Sequence, residues 1–387
     1  MYIVNNTMIL LSRTSLLSQL IILIIVKNRF KMKSSCYILL IVLFCACSTG
    51  SNKETQNISF TDSTSKLQKT SQTSSINNKI SSTYIKENID FIGNYVSDFL
   101  IVNDSTYLLS TSHSIFIYSK SGNQIGVIGK QGEGPENYLN IGEICLSDKY
   151  IYVWCKTKQK LFVYDILGNL QTSYSLPNRK IISMCVYQDR FLCCMMDGTL
   201  ENKIIEIYDL IESDSRRTII SDCKEIELLS CAQVAGDIKL KKNFLYWSTP
   251  AELSIYMLDL NNINGEIVQY KYDDNNFSVE KLPNKDISYD KKFIFNYINS
   301  NSRILQLSVN ANGLYLMAEI GIITDNYKDR FIKIYQLNAN GDLINTYKYD
   351  ISENDGFFKI LNDKLYILRA EDNNFDYNIV LDEYPLQ

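Results

Sequence analysis

The stretch "ICLSDKYIYVW", Ile144–Trp154, and the stretch "QKLFVYDILGNLQTSYSL", Gln159–Leu176, together hold four short apolar runs. Apolar and polar residues alternate within the runs, and Asp, Gly, Asn and Lys residues stand between them. Such alternation, bounded by turn-forming residues, is typical of β-strands joined by tight turns. These residues therefore predict a unit of four antiparallel strands.

The same unit recurs along the chain. Its third strand returns in the stretches that begin at residues 113, 159, 202, 251, 330 and 376. Each is preceded by a hairpin pattern such as "LSVNANGLYLM" or "FKILNDKLYIL". The units lie about 45 residues apart, apart from one longer gap at residues 273–300, and this period is typical of propeller blades. The sequence predicts an all-β fold, a six-bladed β-propeller of four-stranded blades, with a solenoid as the alternative.

The ends of the repeat indicate how the ring closes. The sixth unit stops after its third strand, at Leu386–Gln387. An unassigned strand pattern, "TYIKENIDFI" at residues 83–92, lies just before the first unit. If it supplied the missing fourth strand, it would remove a free sheet edge. We predict a propeller over residues 83–387, closed by this N-terminal strand.

Residues 1–46 have the pattern of a secretory signal, with Met32 as the expected true start. Basic residues are followed by the apolar run Cys36–Phe44 and then by Cys45-Ala46-Cys47. This order matches a signal peptide, and the run is too short for a spanning helix, which needs about 20 apolar residues. A cysteine directly after a small residue resembles a bacterial lipoprotein signal, although Phe44 stands where Leu or Val is usual. We predict cleavage before Cys47 and its acylation, with an uncleaved signal anchor as the alternative.

Residues 47–82 differ in composition from the repeats. Ser, Thr, Asn and Gln make up 21 of the 33 residues from Ser48 to Ile80. A segment with so few apolar residues buries too little surface to offset the entropy lost on ordering. We predict a lipidated flexible tether that holds the propeller off a membrane.

Charge and cysteine content exclude several functions. Removing residues 1–46 takes away five of the 39 basic residues and none of the 43 acidic ones, so the net charge becomes −9. Such a chain is a poor match for nucleic acid, which binds basic surfaces. Seven cysteines remain after Cys47, an odd number that contains no C-x-x-C pair. We therefore expect no disulfide framework, no metal site and no cofactor.

The segment from Ile128 to Leu170 resembles the six-bladed β-propeller lipoproteins common in Bacteroidetes, which are similar to NHL-repeat propellers. That family shows an IG-[RK]-x-G-x-GP-x-EY loop and a later [VI]-[FY]-D-x-x-G turn. This chain departs from the pattern at Asn137, where the family has Glu. The resemblance implies an envelope address, and the absence of an acidic run after Cys47 favours the periplasmic side of the outer membrane. It implies a fold but no activity. The matching residues are Gly129, Lys130, Gly132, Gly134, Pro135, Tyr138, Tyr164, Asp165 and Gly168.

The glycine-rich loop within "IGVIGKQGEGPENYLNIGEI", Ile125–Ile144, fits neither a Walker nor a Rossmann nucleotide motif. The loop is instead predicted to be the crossing from blade 1 to blade 2, because glycines allow tight backbone paths and proline fixes the backbone direction. Four residues are predicted to be structural: Gly129, Gly132, Gly134 and Pro135. Six are predicted to border a ligand site on that face: Lys130, Gln131, Glu133, Glu136, Asn137 and Tyr138.

Candidates for catalysis are few. His113 lies in a predicted turn, and Asp237, at the end of a predicted inner strand, is the one carboxylate expected to point towards the channel. Trp154 and Trp247 are expected to pack between blades. We therefore predict a binding or scaffold module for an envelope protein, peptide or glycan, with membrane contact through the lipid alone. The alternative is a channel-site hydrolase or lyase, with a metal ion as an option, and three or more converging Asp, Glu or Asn side chains would favour it.

Overall fold

The computed structural model describes thirteen segments of the chain. They are residues 56–57, 66–69, 73–85, 96–103, 105–196, 203–221, 223–231, 236–282, 291–311, 313–321, 330–352, 355–373 and 376–386. The predicted signal region and Cys47 lie outside them. The compact unit that contains the sheets spans Thr55–Gln387.

Antiparallel sheets account for most of these residues. Four short strands come first: β1 (Gln56–Asn57), β2 (Lys66–Lys69), β3 (Thr73–Ser75) and β4 (Ser81–Ile85). Blade 1 consists of β5 (Val96–Asn103), β6 (Thr106–Thr111), β7 (Ile115–Ser119) and β8 (Gln124–Ile128). Blade 2 consists of β9 (Ile141–Leu146), β10 (Tyr150–Cys155), β11 (Lys160–Asp165) and β12 (Leu170–Ser175). Blade 3 consists of β13 (Ile181–Tyr187), β14 (Phe191–Met196), β15 (Lys203–Asp209) and β16 (Asp214–Ile220).

The second half of the chain repeats this arrangement. Blade 4 consists of β17 (Asp237–Lys241), β18 (Phe244–Ser248), β19 (Ser254–Asp259) and β20 (Val268–Asp273). Blade 5 consists of β21 (Arg303–Val309), β22 (Leu314–Ile320), β23 (Phe331–Leu337) and β24 (Leu343–Asp350). Blade 6 consists of β25 (Asp355–Leu361), β26 (Lys364–Asn373), β27 (Asp376–Pro385) and β4. The prediction of an all-β, six-bladed propeller with four-stranded blades is confirmed.

The first strand of each blade lies innermost and contacts its counterparts in the two neighbouring blades, from β5 to β9 and round to β25 and back to β5. Each gap between blades is filled by apolar side chains from both. Between blades 2 and 3, for example, Trp154 and Leu161 pack with Leu192 and Cys194. Trp247 is buried as well and stacks on Tyr256 with ring centroids 5.4 Å apart. Both tryptophans therefore pack between blades, as predicted.

An Asp or Asn at the end of the third strand shapes the turn that follows it in four blades. Asp165 accepts hydrogen bonds from the amides of Leu167 and Asn169, at 2.9 and 2.8 Å. Such bonds satisfy amides that would otherwise lack partners where the chain reverses. Three more turns use the same bond, from Ile211 N to Asp209, from Asn261 N to Asp259 and from Asn340 N to Asn338. The same side-chain-to-backbone hydrogen bond therefore stabilises the turn after the third strand in four blades.

Blade 6 takes its fourth strand from the N-terminal side. β4 pairs antiparallel with β27, with Ile85 opposite Ile379 and Ser81 opposite Glu383. The Oγ of Ser82 donates to Asp382, at 2.5 Å. We predict this strand at residues 83–92, whereas the described pairing covers 81–85.

Three further pieces of the N-terminal segment pair with the propeller. β1, β2 and β3 lie parallel to β16, β20 and β24, the outer strands of blades 3, 4 and 5. The predicted coil of residues 47–82 is therefore corrected at these pieces. Composition misleads here because a polar segment still has a full set of backbone donors and acceptors, and an outer strand offers it an unpaired edge. We call β1, β2 and β3 together the strap.

Two helices interrupt the strand pattern, although we expect no long amphipathic helix. α1 (Lys224–Cys231) lies between blades 3 and 4, and α2 (Lys291–Ser300) lies in the insertion at residues 273–300. Leu228 and Leu229 of α1 pack with Tyr297 of α2. Both helices lie in connections from an outer to an inner strand, so they share a face with the glycine-rich loop. Neither helix is long and apolar enough to cross a membrane, and no other described helix is either.

Candidate functional site

The glycine-rich loop is held closed by its own backbone and by one lysine. Gly132 N donates to Tyr138 O and Tyr138 N donates to Lys130 O, both at 3.0 Å. From blade 2, the Nζ of Lys158 donates to the carbonyls of Gly132, Gly134 and Asn137, at 3.1, 2.6 and 2.5 Å. A single cation that satisfies three carbonyls fixes the path of the loop, which supports its structural role.

Tyr138 is a structural residue, and its predicted place on the ligand face is corrected. Its ring is fully buried, and its hydroxyl donates to Ile128 O at 2.5 Å. Burial raises the pKa of Tyr138 well above its usual value. Gly129 has a φ of +66° and packs closely against this ring and against the ring of Tyr164. A side chain at residue 129 would overlap both rings. The family-specific aromatic therefore anchors the loop in the core.

The other predicted loop residues separate into two groups. The partly buried Asn137 packs its amide against Gly132 and Gly134, where it fills the turn. The four charged or amide residues Lys130, Gln131, Glu133 and Glu136 are exposed on the same face. They remain predicted ligand contacts. The turn histidine His113 places its Nδ1 3.2 Å from Leu139 O and helps to hold the end of the loop.

The inner strands bring a cluster of charged side chains together. Asp98 comes from β5, Glu143 from β9, Asp237 from β17 and Lys359 from β25. The Nζ of Lys359 lies 2.9 Å from Asp98 Oδ1, and the two side chains are 22% and 17% exposed. Asp237 and Lys359 also act electrostatically on Glu143. We call Asp98, Glu143, Asp237 and Lys359 the channel cluster.

Asp237 links three blades. Its Oδ1 accepts from Ser183 Oγ of blade 3 at 2.6 Å and from Lys239 Nζ at 2.8 Å. Its Oδ2 accepts from the backbone amide of Leu307 in blade 5, at 3.3 Å. These contacts join Asp237 to both neighbouring blades, and its direction towards the channel stays a prediction. They also fix the carboxylate in position, because a buried charge is stable only when its oxygens have partners.

The environment shifts the protonation of two members of the cluster. Burial raises the pKa of Glu143 well above its usual value, and the Asp98 carboxylate raises it further, while Lys359 and Lys156 oppose the shift. Burial alone would lower the pKa of Lys359, but the carboxylates of Asp98, Asp237 and Glu143 raise it overall. The cluster thus holds an ammonium group beside a carboxyl that retains its proton to unusually high pH.

This arrangement suits polar recognition and proton transfer better than metal binding. Carboxylates from three blades interact electrostatically with Lys359, and several acidic side chains converging in the channel would favour an enzyme. Their charges are balanced, however, by Lys359, Lys239 and Lys156. Across the described segments no three His, Cys, Asp or Glu residues are placed to hold a metal ion. The cluster can offer donors and acceptors of both charges to a ligand, and Glu143 can donate a proton.

Two thiols lie on inner strands, Cys145 on β9 and Cys185 on β13. Burial raises the pKa of Cys145 and Cys185 well above the usual value, so both stay protonated and unreactive. Neither forms a disulfide.

Three cluster residues were not distinguishable in the sequence. Asp98, Glu143 and Lys359 each stand alone within an apolar strand pattern, in "VSDFL", "IGEICL" and "GFFKIL". A single charged residue in a predicted inner strand indicates an oppositely charged partner, because a buried strand seldom holds a charge without one. The identity of that partner depends on blade order around the ring, which strand periodicity does not give.

Glu143→Gln is expected to change how stability depends on pH. The unfolded chain ionises Glu143 near its ordinary pKa, while the folded chain retains the proton to higher pH, so ionisation favours unfolding in this interval. Relative to wild type, the variant should therefore gain up to about 1.4 kcal/mol of unfolding free energy per pH unit there. Urea unfolding at pH 4.5, 6 and 7.5 measures this. A difference that stays constant over pH would contradict the assignment, and the exposed Glu133→Gln controls for loss of a glutamate.

Comparison with known proteins identifies the family. Residues 50–353 match the model of the DUF5128 family, described as a 6-bladed beta-propeller, and the chain belongs to this family. No protein of curated function matches the sequence. Two solved structures share the fold at low identity. One is a candidate exported protein from Bacteroides fragilis, 15% identical, with a TM-score of 0.59 over 83% of this chain and 100% of that one. The other, a DUF4221 member from Bacteroides vulgatus, is 12% identical, with a TM-score of 0.59 over 81% and 99%.

Proposed function

We propose that this protein is a lipid-anchored binding module of the cell envelope that holds a peptide, protein or glycan partner at the channel of its propeller. The observation that carries this is the channel cluster, in which side chains from blades 1, 2, 4 and 6 meet. Ligand sites of this kind combine a few fixed polar groups with a concave scaffold. The exposed residues of the glycine-rich loop lie on the face where the inner strands begin and would extend the contact.

The cluster favours ligands that carry both donors and acceptors. Lys359 and Lys239 offer ammonium donors, Asp98 and Asp237 offer carboxylate acceptors, and a protonated Glu143 offers one of each. Peptide backbones and sugar hydroxyls have this mixed character. A purely anionic ligand would be repelled by the carboxylates of Asp98 and Asp237, and a bare cation would be repelled by the lysines.

The anchor and address rest on the sequence. Acylation of Cys47 after removal of residues 1–46 would place the propeller at the outer membrane, on the periplasmic side. A Bacteroides structure of the same fold is a candidate exported protein. Metabolic labelling with an alkyne fatty acid tests the anchor, and label that persists in Cys47→Ser would disprove it.

Binding at the cluster is tested with defined ligands. Mature protein is titrated by calorimetry with a panel of free tripeptides and a panel of β-linked tetrasaccharides. We expect one panel to contain micromolar to millimolar ligands, and Glu143→Gln to weaken them at least tenfold, which is about 1.4 kcal/mol. Ile344→Lys, on the outer strand of blade 5, is the matched control and should bind as wild type. Affinities unchanged by Glu143→Gln, or no ligand in either panel, would reject the proposal.

A second candidate function is a lyase or hydrolase at the same cluster. Glu143, whose pKa burial raises, could act as a general acid beside the ammonium of Lys359. Mass spectrometry of the same panels after incubation detects cleavage or elimination. Turnover that Glu143→Gln abolishes would favour the enzyme, and unchanged ligands would favour the binding module.

A further inference from the structure

Large apolar side chains are exposed unevenly around the ring. Eight are exposed among the described residues, and six of these lie at the periphery of blades 6, 1 and 2. Ile125 and Val127 of β8 are 62% and 42% exposed and lie two residues apart, so both point to the same side of the strand. The other four in this sector are Ile80, Tyr84, Ile166 and Leu167.

These residues belong to strands and turns that touch one another. The Oγ1 of Thr83 in β4 donates to Lys120 O in blade 1, at 3.2 Å, and Gly122 packs against the carbonyl of Tyr84. In the turn that carries Ile166 and Leu167, Gly168 packs against the carbonyl of Val127. The peripheries of blades 6, 1 and 2 thus form one continuous surface. We call it the apolar sector.

Among the described residues, no strand of the strap covers the apolar sector. β1, β2 and β3 cover the outer strands of blades 3, 4 and 5 by parallel pairing. Within the described part of the chain, no strand lies outside β8 or β12. An outer edge presents unpaired amides and carbonyls that can accept another strand. The molecule therefore shows three times how an extended segment binds to an outer strand of this propeller.

We propose that β8 is the docking edge for an extended segment of a partner protein, which pairs parallel to β8 and places apolar side chains at every second position on Ile125 and Val127. The partner resembles the strap in its backbone pairing and differs from it in its side chains. Strand addition of this kind takes affinity from main-chain bonds and specificity from alternate side chains.

The chain's own N-terminus is a poor occupant of this edge. The strap runs from blade 3 to blade 5 with rising residue number, so residues before Gln56 would have to reach blades 2 and 1. If the signal is removed as proposed, these are only residues 47–55, "CSTGSNKET", which contain no large apolar side chain. They therefore have no large apolar side chain that could cover Ile125 and Val127. A separate chain with alternating apolar residues has such side chains.

The test uses the full mature protein and a defined probe. The probe is an acetylated, fluorescent nonapeptide of alternating Val and Thr with a Lys at each end. A second version is N-methylated at alternate amides, which removes strand-pairing donors. We expect wild type to bind the first peptide, and Ile125→Lys/Val127→Lys to bind it at least tenfold more weakly by fluorescence anisotropy. The N-methylated peptide should bind wild type at least tenfold more weakly than the first.

Two control variants make the outcome specific. Ile344→Lys changes an isoleucine that is 45% exposed on β24, whose edge already pairs with β3, and should bind the peptide as wild type. Binding that Glu143→Gln weakens while Ile125→Lys/Val127→Lys leaves it unchanged would place the peptide at the channel cluster and reject β8 as its site. All these substitutions except Glu143→Gln are at exposed positions, and thermal unfolding verifies that each variant is folded.

Several results would overturn the proposal. Failure of wild type to bind the peptide, binding that survives the double lysine substitution, or equal binding of the N-methylated peptide would each reject strand pairing at β8. A wild-type dimer in solution that the double substitution separates would identify a second copy as the occupant. Peptide binding that appears only when residues 47–55 are deleted would identify the chain's own segment.

Discussion

Replacing Lys359 with methionine is expected to lower the free energy of unfolding by about 3 kcal/mol at neutral pH, because it removes one partner of a largely buried ion pair. The Nζ of Lys359 lies 2.9 Å from Asp98 Oδ1. It also opposes the rise in the pKa of Glu143 and interacts electrostatically with Asp237. Without it, the Asp98 and Asp237 carboxylates would lose the cation that they share and repel each other in the channel.

The loss should depend on pH in a defined direction. The repulsion exists only while the carboxylates are ionised, so the destabilisation should be largest at pH 7.5 and smaller at pH 4.5. Urea unfolding at both pH values measures it. Lys348→Met removes an exposed lysine from its pair with Asp350 and should cost no more than about 0.5 kcal/mol. Equal losses in the two variants, or a loss independent of pH, would argue against a charged cluster in the channel.

Replacing Gly129 with alanine is expected to destabilise the protein by about 2–4 kcal/mol. The φ of +66° costs about 1 kcal/mol for a residue with a Cβ, and overpacking adds about 1–3 kcal/mol. The new methyl group would lie 2.5 Å from Tyr138 Cε1 and 2.7 Å from the hydroxyl of Tyr164. Neither ring can move freely, because both are fully buried.

A neighbouring glycine provides the matched control. A Cβ on Gly126 would meet only the Cδ1 end of Ile117, at 3.2 Å, and φ there is not positive. Gly126→Ala should therefore change the unfolding free energy by less than about 1 kcal/mol. Thermal and urea unfolding of both variants make the comparison. Similar small effects in both would show that the loop tolerates a side chain and that its glycines are not required.

The blades were predictable because their signals are local. Alternation in "KLFVYD" and the Asp165 turn depend on residues within one hairpin, and the repeat then specifies how many hairpins there are. Tyr138 shows the limit of this reasoning. Its neighbours in the sequence are exposed or partly exposed, so the sequence predicts a surface residue. In the structure its ring is buried against residues of both flanking blades.

The candidate site was predictable only in part, for a related reason. Asp237 was singled out because it stands at one end of a predicted inner strand. Asp98, Glu143 and Lys359 are separated by 45 to more than 200 residues. Their meeting requires the ring to close, and closure places blade 6 beside blade 1. No pattern within one blade carries that information.

For the strap, the sequence predicts coil where the structure has strands. A polar composition predicts coil because it measures what side chains can bury. Backbone pairing at an outer strand needs no buried side chain, so β1, β2 and β3 can form from polar residues once a neighbouring edge exists. That edge is created by folding elsewhere in the chain.

The sequence by itself therefore determined the strand-and-turn unit and its sixfold repetition, because both follow from periodicity and local turn chemistry. The tertiary structure alone decided which charges meet in the channel, that Tyr138 lies in the core, and which outer edges are covered by the strap. These depend on contacts between residues far apart in the chain, which exist only when the blades have assembled into a closed ring.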